Sequence, residues 1–301
     1  MHLAKRSATQ DFQGLQSDIN DYVNAARRHL GRPLEGLRMF EVGFGARPVS
    51  LCWIHSLGLD VRGIDLDAPV ISFDWGQLLS VLKKNGIERA AKSLAREILV
   101  GDTEWKDAAA AFAKANPGKT FVIPKHLMII GDAAEPEIWE TIGKLDFVYS
   151  ENVFEHIPRD RIPLILRQMA LALAPDGLAY IRPHMFTGIA GGHDVDWYPG
   201  RLQTDRKRPS EPWEHLRRNR FVANTYLNKA RIADYLELFS IDFDILEYVK
   251  DDGEWGRPFL TDELKAELSD YSEEELMTDR MSFILKPKPV RQMQSRDRND
   301  R

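Results

Sequence analysis

The chain is poor in cysteine and has no long apolar run. Only one of its 301 residues, Cys52, is a cysteine, which excludes an intramolecular disulfide framework and a zinc site built from several cysteines. No run of about 18 apolar residues occurs, and the first residues lack the apolar segment of a secretion signal. We therefore expect neither secretion nor a membrane span, and a reducing, cytoplasmic location.

A strong excess of one charge is also missing. The chain carries 41 lysines and arginines against 46 aspartates and glutamates, a net charge of −5. This balance argues against a protein that coats nucleic acid, because phosphate backbones attract basic surfaces. Residues 201–220 depart from it, with seven basic against three acidic residues. This segment is predicted either to bind an anionic acceptor or to form a solvated arginine surface.

Short apolar runs alternate with helix-length stretches along most of the chain. An amphipathic helix is predicted within residues 8–30, because apolar residues recur there at three- and four-residue spacings. The alternation that follows is typical of repeated β-α-β units, and it predicts an α/β fold with a Rossmann-like, seven-stranded, mostly parallel sheet and helices on both faces. The predicted strands are residues 37–45, 60–67, 126–132, 144–150, 177–184, 243–249 and 281–286.

The length of the chain suggests about two domains of roughly 150 residues, but the pattern favours one. We predict an N-terminal helical segment at 1–36, one domain at 37–286 and a basic, disordered tail at 287–301. The domain carries two insertions, one helical at 68–125 and one aperiodic at 185–222. Long aperiodic segments at strand ends commonly contact substrate, so the second insertion is placed on the substrate side.

The sharpest local pattern is Glu-Val-Gly-Phe-Gly at 41–45, a strand that runs into two glycines and then a helix. Glycine lets the backbone turn tightly beside a ligand. Asp65 ends the next strand, where a carboxylate can accept both hydroxyls of a ribose. A dinucleotide would need a third glycine at Pro48, which has no N–H for a pyrophosphate. Glu41 suits an ammonium group instead, which favours S-adenosylmethionine over NAD.

Further motifs extend this pattern, namely Gly-Asp-Ala-Ala-Glu at 131–135, the segment 145–157 that ends in Glu-His-Ile, and Leu-Ala-Pro-Asp-Gly at 173–177. Together the motifs resemble those of the type-11 group of class I S-adenosylmethionine-dependent methyltransferases, over residues 37–184. Two positions depart from the group's pattern: Arg47 replaces the third motif glycine, and Asp176 replaces a glycine of the turn before the fifth strand.

The resemblance implies S-adenosylmethionine as the cofactor and assigns residues to it. Position by position, the implied cofactor-binding residues are Glu41, Gly43, Gly45, Asp65, Asp132, Ala133, Glu151 and Asn152. Among them Glu41 would face the methionine ammonium, Asp65 the ribose and Asp132 the adenine. Glu155 and His156 also match the motif, but they are expected to begin the following helix and to fix the turn rather than to act in catalysis.

Methyl transfer from a sulfonium depends chiefly on alignment. A base is useful when the acceptor is an alcohol, whose proton must leave. His193, flanked by Asp194, is the predicted base, because histidine titrates near neutrality and a carboxylate can orient it; His184 is the second candidate. A plain loop turn is one alternative, and a metal site of His193, Asp194 and Asp196 is another. No metal is predicted.

Candidate contacts to the acceptor follow this loop. Trp197 and Trp213 could stack on a sugar face, Arg217 could hold an anion, and Tyr226 is the fourth candidate. The predicted function is methyl transfer to an oxygen of a small molecule, a sugar or a glycan. The oligomeric state stays open.

Other classes of function compete with this interpretation. A non-catalytic S-adenosylmethionine-binding protein would retain the cofactor residues but no acceptor site. An NAD(P)- or nucleotide-sugar-dependent oxidoreductase would need a Tyr-x-x-x-Lys pair, and none of the eight tyrosines has lysine four residues later. A phosphate-binding loop at 118–120 is excluded, because it would need glycine where the chain has Ala113.

Overall fold

The computed structural model describes residues 12–69, 71, 105–202, 208–217, 223, 225–250 and 253–289. The chain divides into two compact units, Met1–Tyr149 and Ser150–Arg301. Most of the predicted helical insertion, part of the basic segment 201–220 and nearly all of the predicted tail lie outside the described residues.

The first unit is built on parallel strands. They are β1 (Arg38–Val42), β2 (Asp60–Asp65), β3 (Met128–Ile130) and β4 (Leu145–Glu151), the last of which runs across the boundary between the units. Strand β1 pairs in parallel with β2 and β4, and β2 pairs in parallel with β3. Phe40 and Phe147 are fully buried, as expected for central strands that read as continuous apolar runs.

The helices among the described residues of this unit are α1 (Phe12–Leu30), α2 (Val49–Ser56), α3 (residues 105–115) and α4 (Pro136–Glu140). The apolar stripe of α1 places Tyr22 against Tyr149 of β4, with the two rings stacked 4.6 Å apart. Trp53 of α2 meets Phe112 of α3 edge-on at 5.0 Å. The predicted N-terminal helix and the helix after β1 are therefore both present.

The second unit contains β5 (Leu173–Arg182), β6 (Phe243–Lys250) and β7 (Met281–Pro287). Strand β7 pairs antiparallel with both β5 and β6. The helices are α5 (Ile162–Ala172), α6 (Pro199–Leu202), α7 (Glu214–Arg217), α8 (Ile232–Asp242), α9 (Asp262–Glu267) and α10 (Glu273–Leu276).

Two apolar clusters stabilise the second unit. Phe239 of α8 packs edge-on against Phe283 of β7, with ring centroids 4.9 Å apart, and both side chains are fully buried. The other cluster surrounds Trp197 and Trp213 with apolar residues of α9 and α10, among them Leu264. Burial of such large side chains is the main stabilising contribution to a fold of this kind.

The strand order across the sheet is β3-β2-β1-β4-β5-β7-β6. The predicted Rossmann-like, seven-stranded, mostly parallel sheet with helices around it is confirmed, with β7 as the antiparallel strand among those described. This is the fold that the resemblance implies. The predicted division into one domain with two insertions stays a prediction. Within the described ranges, no helix combines the length and the apolarity needed to cross a membrane.

One local prediction is wrong. Glu155 and His156 do not begin a helix that follows β4; they lie in a single 3-10 turn, Phe154–His156. Helix α5 starts later, at Ile162. Pro158 stands between the two elements, and a residue that precedes proline is pushed away from helical backbone angles.

Leu285→Ala should lower the free energy of unfolding by about 3–5 kcal/mol, because Leu285 is fully buried in β7 and its loss leaves a cavity. The matched control is Leu246→Ala in β6, whose side chain is 45% exposed and which should cost less than about 1 kcal/mol. Urea unfolding followed by circular dichroism measures both. Equal losses would contradict the assigned positions of β6 and β7.

Candidate functional site

The glycine turn after β1 has the backbone that its sequence predicts. Gly43 and Gly45 both have positive φ angles, 83° and 69°, in the region that side chains disfavour. The Gly43 N–H donates to the Ile64 carbonyl at 2.8 Å, so the pairing of β1 with β2 continues into the turn. A Cβ at Gly45 would meet no described atom within 4 Å; glycine is needed there for its backbone angles.

Asp65 joins the end of β2 to this turn. Its Oδ2 accepts the Gly45 N–H at 2.7 Å, and its Oδ1 accepts the Asp67 N–H at 2.9 Å. Burial raises the pKa of Asp65, while these two N–H groups act in the opposite direction. Since a carboxylate has about four acceptor sites, Asp65 can hold the turn and still accept ribose hydroxyls.

Glu41 is buried beside β4. Its Oε2 accepts the Tyr149 hydroxyl at 3.0 Å, and only 6% of the residue is exposed. The pKa of Tyr149 is raised, first by burial and then by the charge of Glu41. The same two causes raise the pKa of the Cys52 thiol. The carboxyl group of Glu41 therefore lies among groups that stay neutral.

Asp132 and Ala133 follow β3. The Asp132 Oδ1 accepts the Ala134 N–H at 2.9 Å, and the Ala133 carbonyl accepts the indole N–H of Trp139 at 2.8 Å. These bonds fix the turn between β3 and α4. Because parallel strands end at the same edge of a sheet, the structure brings Glu41, Asp65 and Asp132 to one edge of the first unit, as the motifs predict.

Glu151 and Asn152 belong to the second unit, where arginine surrounds them. The Glu151 Oε1 accepts from Arg182 Nη2 at 2.6 Å and from Nε at 3.1 Å, and it lies 3.7 Å from Arg280 Nη1. Asn152 has a positive φ of 53°, and its N–H donates to the Arg182 carbonyl at 2.9 Å. Their predicted role beside the cofactor stays a prediction.

The second unit also assembles a histidine cluster, which consists of Glu155, His156, His184 and His193. The His193 ring lies 4.9 Å from the His156 ring and 5.2 Å from the His184 ring, measured between centroids. The Glu155 Oε1 lies 3.8 Å from His156 Nε2 and 3.9 Å from His193 Nε2. His193 itself has a positive φ of 58°, a conformation often found where function imposes it.

Burial sets the protonation of this cluster. It raises the pKa of Glu155 to about 8, and repulsion from Glu151 adds to the effect. The backbone N–H groups of Glu155 and His184 favour the charged form, but no described group reaches hydrogen-bonding geometry with either Glu155 oxygen. Burial lowers the pKa of His193 to about 4 and that of His184 well below its ordinary value. Both imidazoles are therefore neutral at pH 7.

Asp194 does not orient His193, so the predicted pair is corrected. Its carboxylate accepts the Asp196 N–H at 3.0 Å and the Ser210 hydroxyl, and it caps the turn that follows. Asp196 is paired with Arg201 at 3.3 Å. The alternative metal set of His193 with these two aspartates is accordingly not assembled, and the carboxylate that faces His193 is Glu155.

Three side-chain hydrogen bonds hold the turn that carries Glu155 and His156. The Asn228 side chain donates to the carbonyls of Phe154 and Ile157 at 2.7 and 2.9 Å. The His156 Nδ1 donates to the Tyr226 carbonyl at 3.0 Å, because a carbonyl can only accept. Sequence reasoning gave Glu155 and His156 a structural role; the adjacent Glu-His pair in the fourth motif was the available signal.

The predicted acceptor contacts lie in different surroundings. Trp213 is fully buried and Trp197 is 4% exposed, which favours a role in the apolar core for both. Arg217 is paired with Glu211 at 3.1 Å and Glu267 at 2.6 Å. Tyr226 differs from them, since 55% of its surface is exposed.

The described arginines of the basic segment 201–220 also bond within the protein. Arg208 covers the ring of Trp197 at 4.8 Å and donates to the Leu202 carbonyl at 3.1 Å. Arg201 is held by Asp196. These contacts favour the structural alternative for the arginines that are described.

No protein-family model matches the chain, and no curated protein sequence does. Solved structures with a related fold include magnesium protoporphyrin IX methyltransferase from Synechocystis with bound S-adenosylhomocysteine, at 12% identity, a TM-score of 0.43 and coverage of 92% of this chain and 82% of that one. The CcbJ methyltransferase from Streptomyces caelestis has 12% identity, a TM-score of 0.43 and coverage of 87% and 94%.

A third similar structure is geranyl diphosphate C-methyltransferase from Streptomyces coelicolor with Mg²⁺, geranyl-S-thiolodiphosphate and S-adenosylhomocysteine. Here the identity is 11%, the TM-score is 0.42 and the coverage is 89% and 76%. Likeness at this distance carries no argument about activity or acceptor, which must come from the residues themselves.

His215→Gln should reduce the loss of stability in acid. The partly buried His215 bonds the Phe186 carbonyl through Nε2, and its burial lowers its pKa from 6.5 to about 4. Between these pH values the unfolded chain takes up a proton that the folded chain refuses, so stability falls as the pH falls. Glutamine keeps an N–H donor but does not titrate. The free energy of unfolding lost on acidification should therefore be smaller by up to about 3 kcal/mol.

The measurement is urea unfolding from pH 7 to pH 4. The control is His126→Gln, at an exposed position before β3, which should leave the pH profile unchanged. A His215→Gln profile identical to that of the unmodified chain would contradict the assigned burial.

Proposed function

We propose that the chain is a methyltransferase that uses S-adenosylmethionine. The observation that carries the proposal is the glycine turn held by Asp65 next to the buried carboxylate of Glu41. S-adenosylmethionine presents an ammonium, a ribose diol and an adenine amino group. Carboxyl groups at the C-terminal ends of three neighbouring parallel strands match these three groups in number, charge and hydrogen-bonding capacity.

The same edge of the sheet fits a dinucleotide poorly. A pyrophosphate needs N–H groups at the start of the helix after β1. Helix α2 begins at Val49, directly after Pro48, which has no N–H to donate. The buried charge of Glu41 stands just before the turn and would repel a diphosphate. This supports the adenosyl ligand over NAD.

We propose further that the acceptor atom is an oxygen of a small molecule, a sugar or a glycan, and that the histidine cluster binds it. In the reaction the acceptor oxygen forms a bond to the methyl carbon, the carbon–sulfur bond breaks, and its electron pair stays on sulfur. The hydroxyl proton leaves to solvent. A His193 pKa of about 4 makes this imidazole a weak base, so its proposed contribution is to bind and orient the oxygen.

S-adenosylhomocysteine should raise the melting temperature of the chain, and NADH should not, because a ligand stabilises only the folded state that binds it. Asp65→Ala should lower the affinity for S-adenosylhomocysteine at least about tenfold, since each hydrogen bond to a charged group contributes about 1.5–3 kcal/mol. Thermal shift and isothermal titration calorimetry measure the two effects.

The matched control is Asp60→Ala, at the exposed first residue of β2, which should keep full affinity. Circular dichroism checks that Asp65→Ala is folded, because Asp65 also bonds Gly45. If S-adenosylhomocysteine left the melting temperature of the unmodified chain unchanged, the proposed cofactor would be contradicted.

His193→Asn should abolish transfer of a labelled methyl group from S-adenosylmethionine and retain affinity for S-adenosylhomocysteine. Asparagine is chosen because it tolerates the positive φ at this position and removes the imidazole. Label is followed into fractionated extract to find the acceptor class. The control His126→Asn should transfer label normally.

Two outcomes would contradict this proposal. Full transfer by His193→Asn would remove the histidine cluster from the reaction. Binding of S-adenosylhomocysteine without transfer into any fraction would favour a non-catalytic binding protein.

A further inference from the structure

We propose that Glu155, His156 and His193 form a binding site for a divalent transition-metal ion of the Zn²⁺ class. Each residue offers one ligand atom, and the three atoms all lie within 4.8 Å of one another. Two imidazole nitrogens and one carboxylate oxygen are a donor set that such ions accept, with further coordination positions left for water or substrate.

The three ligand atoms need to move only slightly closer together to bind one ion. Glu155 Oε1 stands 3.8 Å from His156 Nε2 and 3.9 Å from His193 Nε2. Ligands bonded to one Zn²⁺ at 2.0–2.2 Å stand about 3.3 Å apart in tetrahedral geometry. A shift of the Glu155 Oε1 by a fraction of an ångström would bring its distance to each imidazole nitrogen to this value. The two imidazole nitrogens lie within 4.8 Å of each other, so they must approach each other by at most about 1.5 Å.

The Glu155 carboxylate and the His193 Nε2 are buried and lack hydrogen-bond partners among the described residues. Glu155 is 3% exposed, and both its carboxylate oxygens are without a hydrogen bond, as is His193 Nε2. A buried, unpaired carboxylate is costly, and proteins commonly pair such a group with a cation or a metal. A buried carboxylate and an imidazole nitrogen that lack partners and converge with a third ligand, His156 Nε2, are what a metal site presents before the ion binds.

The orientation of His156 supports the same conclusion. Its Nδ1–H donates to the Tyr226 carbonyl at 3.0 Å, and its Nε2 faces Glu155 at 3.8 Å. Metal-binding histidines almost always donate their other ring N–H to such a group, because this fixes the tautomer and the ring orientation.

The chemistry of the ligands favours Zn²⁺ over Mg²⁺. Mg²⁺ prefers oxygen ligands and keeps much of its water, whereas imidazole suits Zn²⁺ and its neighbours in the first transition row. A divalent ion would also balance the ionised Glu155 in a place where neither charge would be stable alone.

A role for the ion in catalysis rests on the proposed function. Bound at the histidine cluster, the ion would bind the acceptor oxygen and lower the pKa of its hydroxyl. The proton would pass to solvent water, and the oxygen would then take the methyl group. This supplies the activation that His193 cannot give as a weak base.

The test uses the full chain after treatment with EDTA and removal of the chelator. Isothermal titration with Zn²⁺ should give one ion per chain with a Kd at or below about 1 µM. Co²⁺ should bind with a visible absorption spectrum that Zn²⁺ abolishes, and Mg²⁺ should not displace it. Absence of Zn²⁺ binding, or equal competition by Mg²⁺, would overturn the proposal.

Variants locate the ion. Glu155→Gln keeps the side-chain shape and should lower the affinity for Zn²⁺ by more than about 100-fold. Loss of a residue that only supports a metal ligand typically lowers the affinity by about 10–100-fold. His193→Asn should act in the same way as Glu155→Gln, and His126→Asn should change nothing. Circular dichroism confirms folding of each variant. Unchanged Zn²⁺ affinity in both Glu155→Gln and His193→Asn would place the ion elsewhere and overturn the proposal.

The test separates this inference from the proposed function. A chain that binds Zn²⁺ through Glu155 but does not respond to S-adenosylhomocysteine would keep the metal site and remove the methyltransferase proposal. A chain that binds S-adenosylhomocysteine but no Zn²⁺ would keep the cofactor and overturn the metal site.

Discussion

The parallel pairing of β1 with β2 and of β2 with β3 is the constraint on which the first unit's site depends. Glu41 is aligned with Gly63, and Asp65 with Ile130, so the acidic residues reach the carboxyl edge in a fixed register. The hydrogen bond between Asp65 and Gly45 then ties the glycine turn to that edge. A slip of one residue in β2 would send the Asp65 side chain to the opposite face of the sheet, and the turn would lose its support.

In the second unit, a buried amide provides the support that strand pairing provides in the first. The Asn228 side chain donates to the carbonyls of Phe154 and Ile157, which flank Glu155 and His156 in a single 3-10 turn. A buried carbonyl without a partner costs about 1–3 kcal/mol. The amide therefore stabilises the one backbone conformation that directs both side chains into the histidine cluster.

The strands and the glycine turn were predictable from sequence because each depends on local periodicity and on residues close together in the chain. The histidine cluster was not, since Glu155 meets His193 only through the folded chain. Adjacency favoured Asp194 as the partner of His193, but its carboxylate bonds the Asp196 N–H of its own turn, as short acidic side chains often do. The buried position of Trp213 likewise depends on distant apolar residues.

The two buried glutamates differ in what surrounds them, and this difference separates their proposed roles. Glu41 accepts a hydrogen bond from Tyr149, so its charge is stabilised within the folded chain before any ligand arrives, and an ammonium group adds to an arrangement that already exists. Glu155 has no such bond among the described residues, and its pKa is raised to about 8. Its charge becomes stable only when a cation arrives. The Glu155 carboxylate therefore stabilises the protein with a bound cation more than the protein without one. Binding at the histidine cluster should accordingly depend strongly on the charge of the ligand.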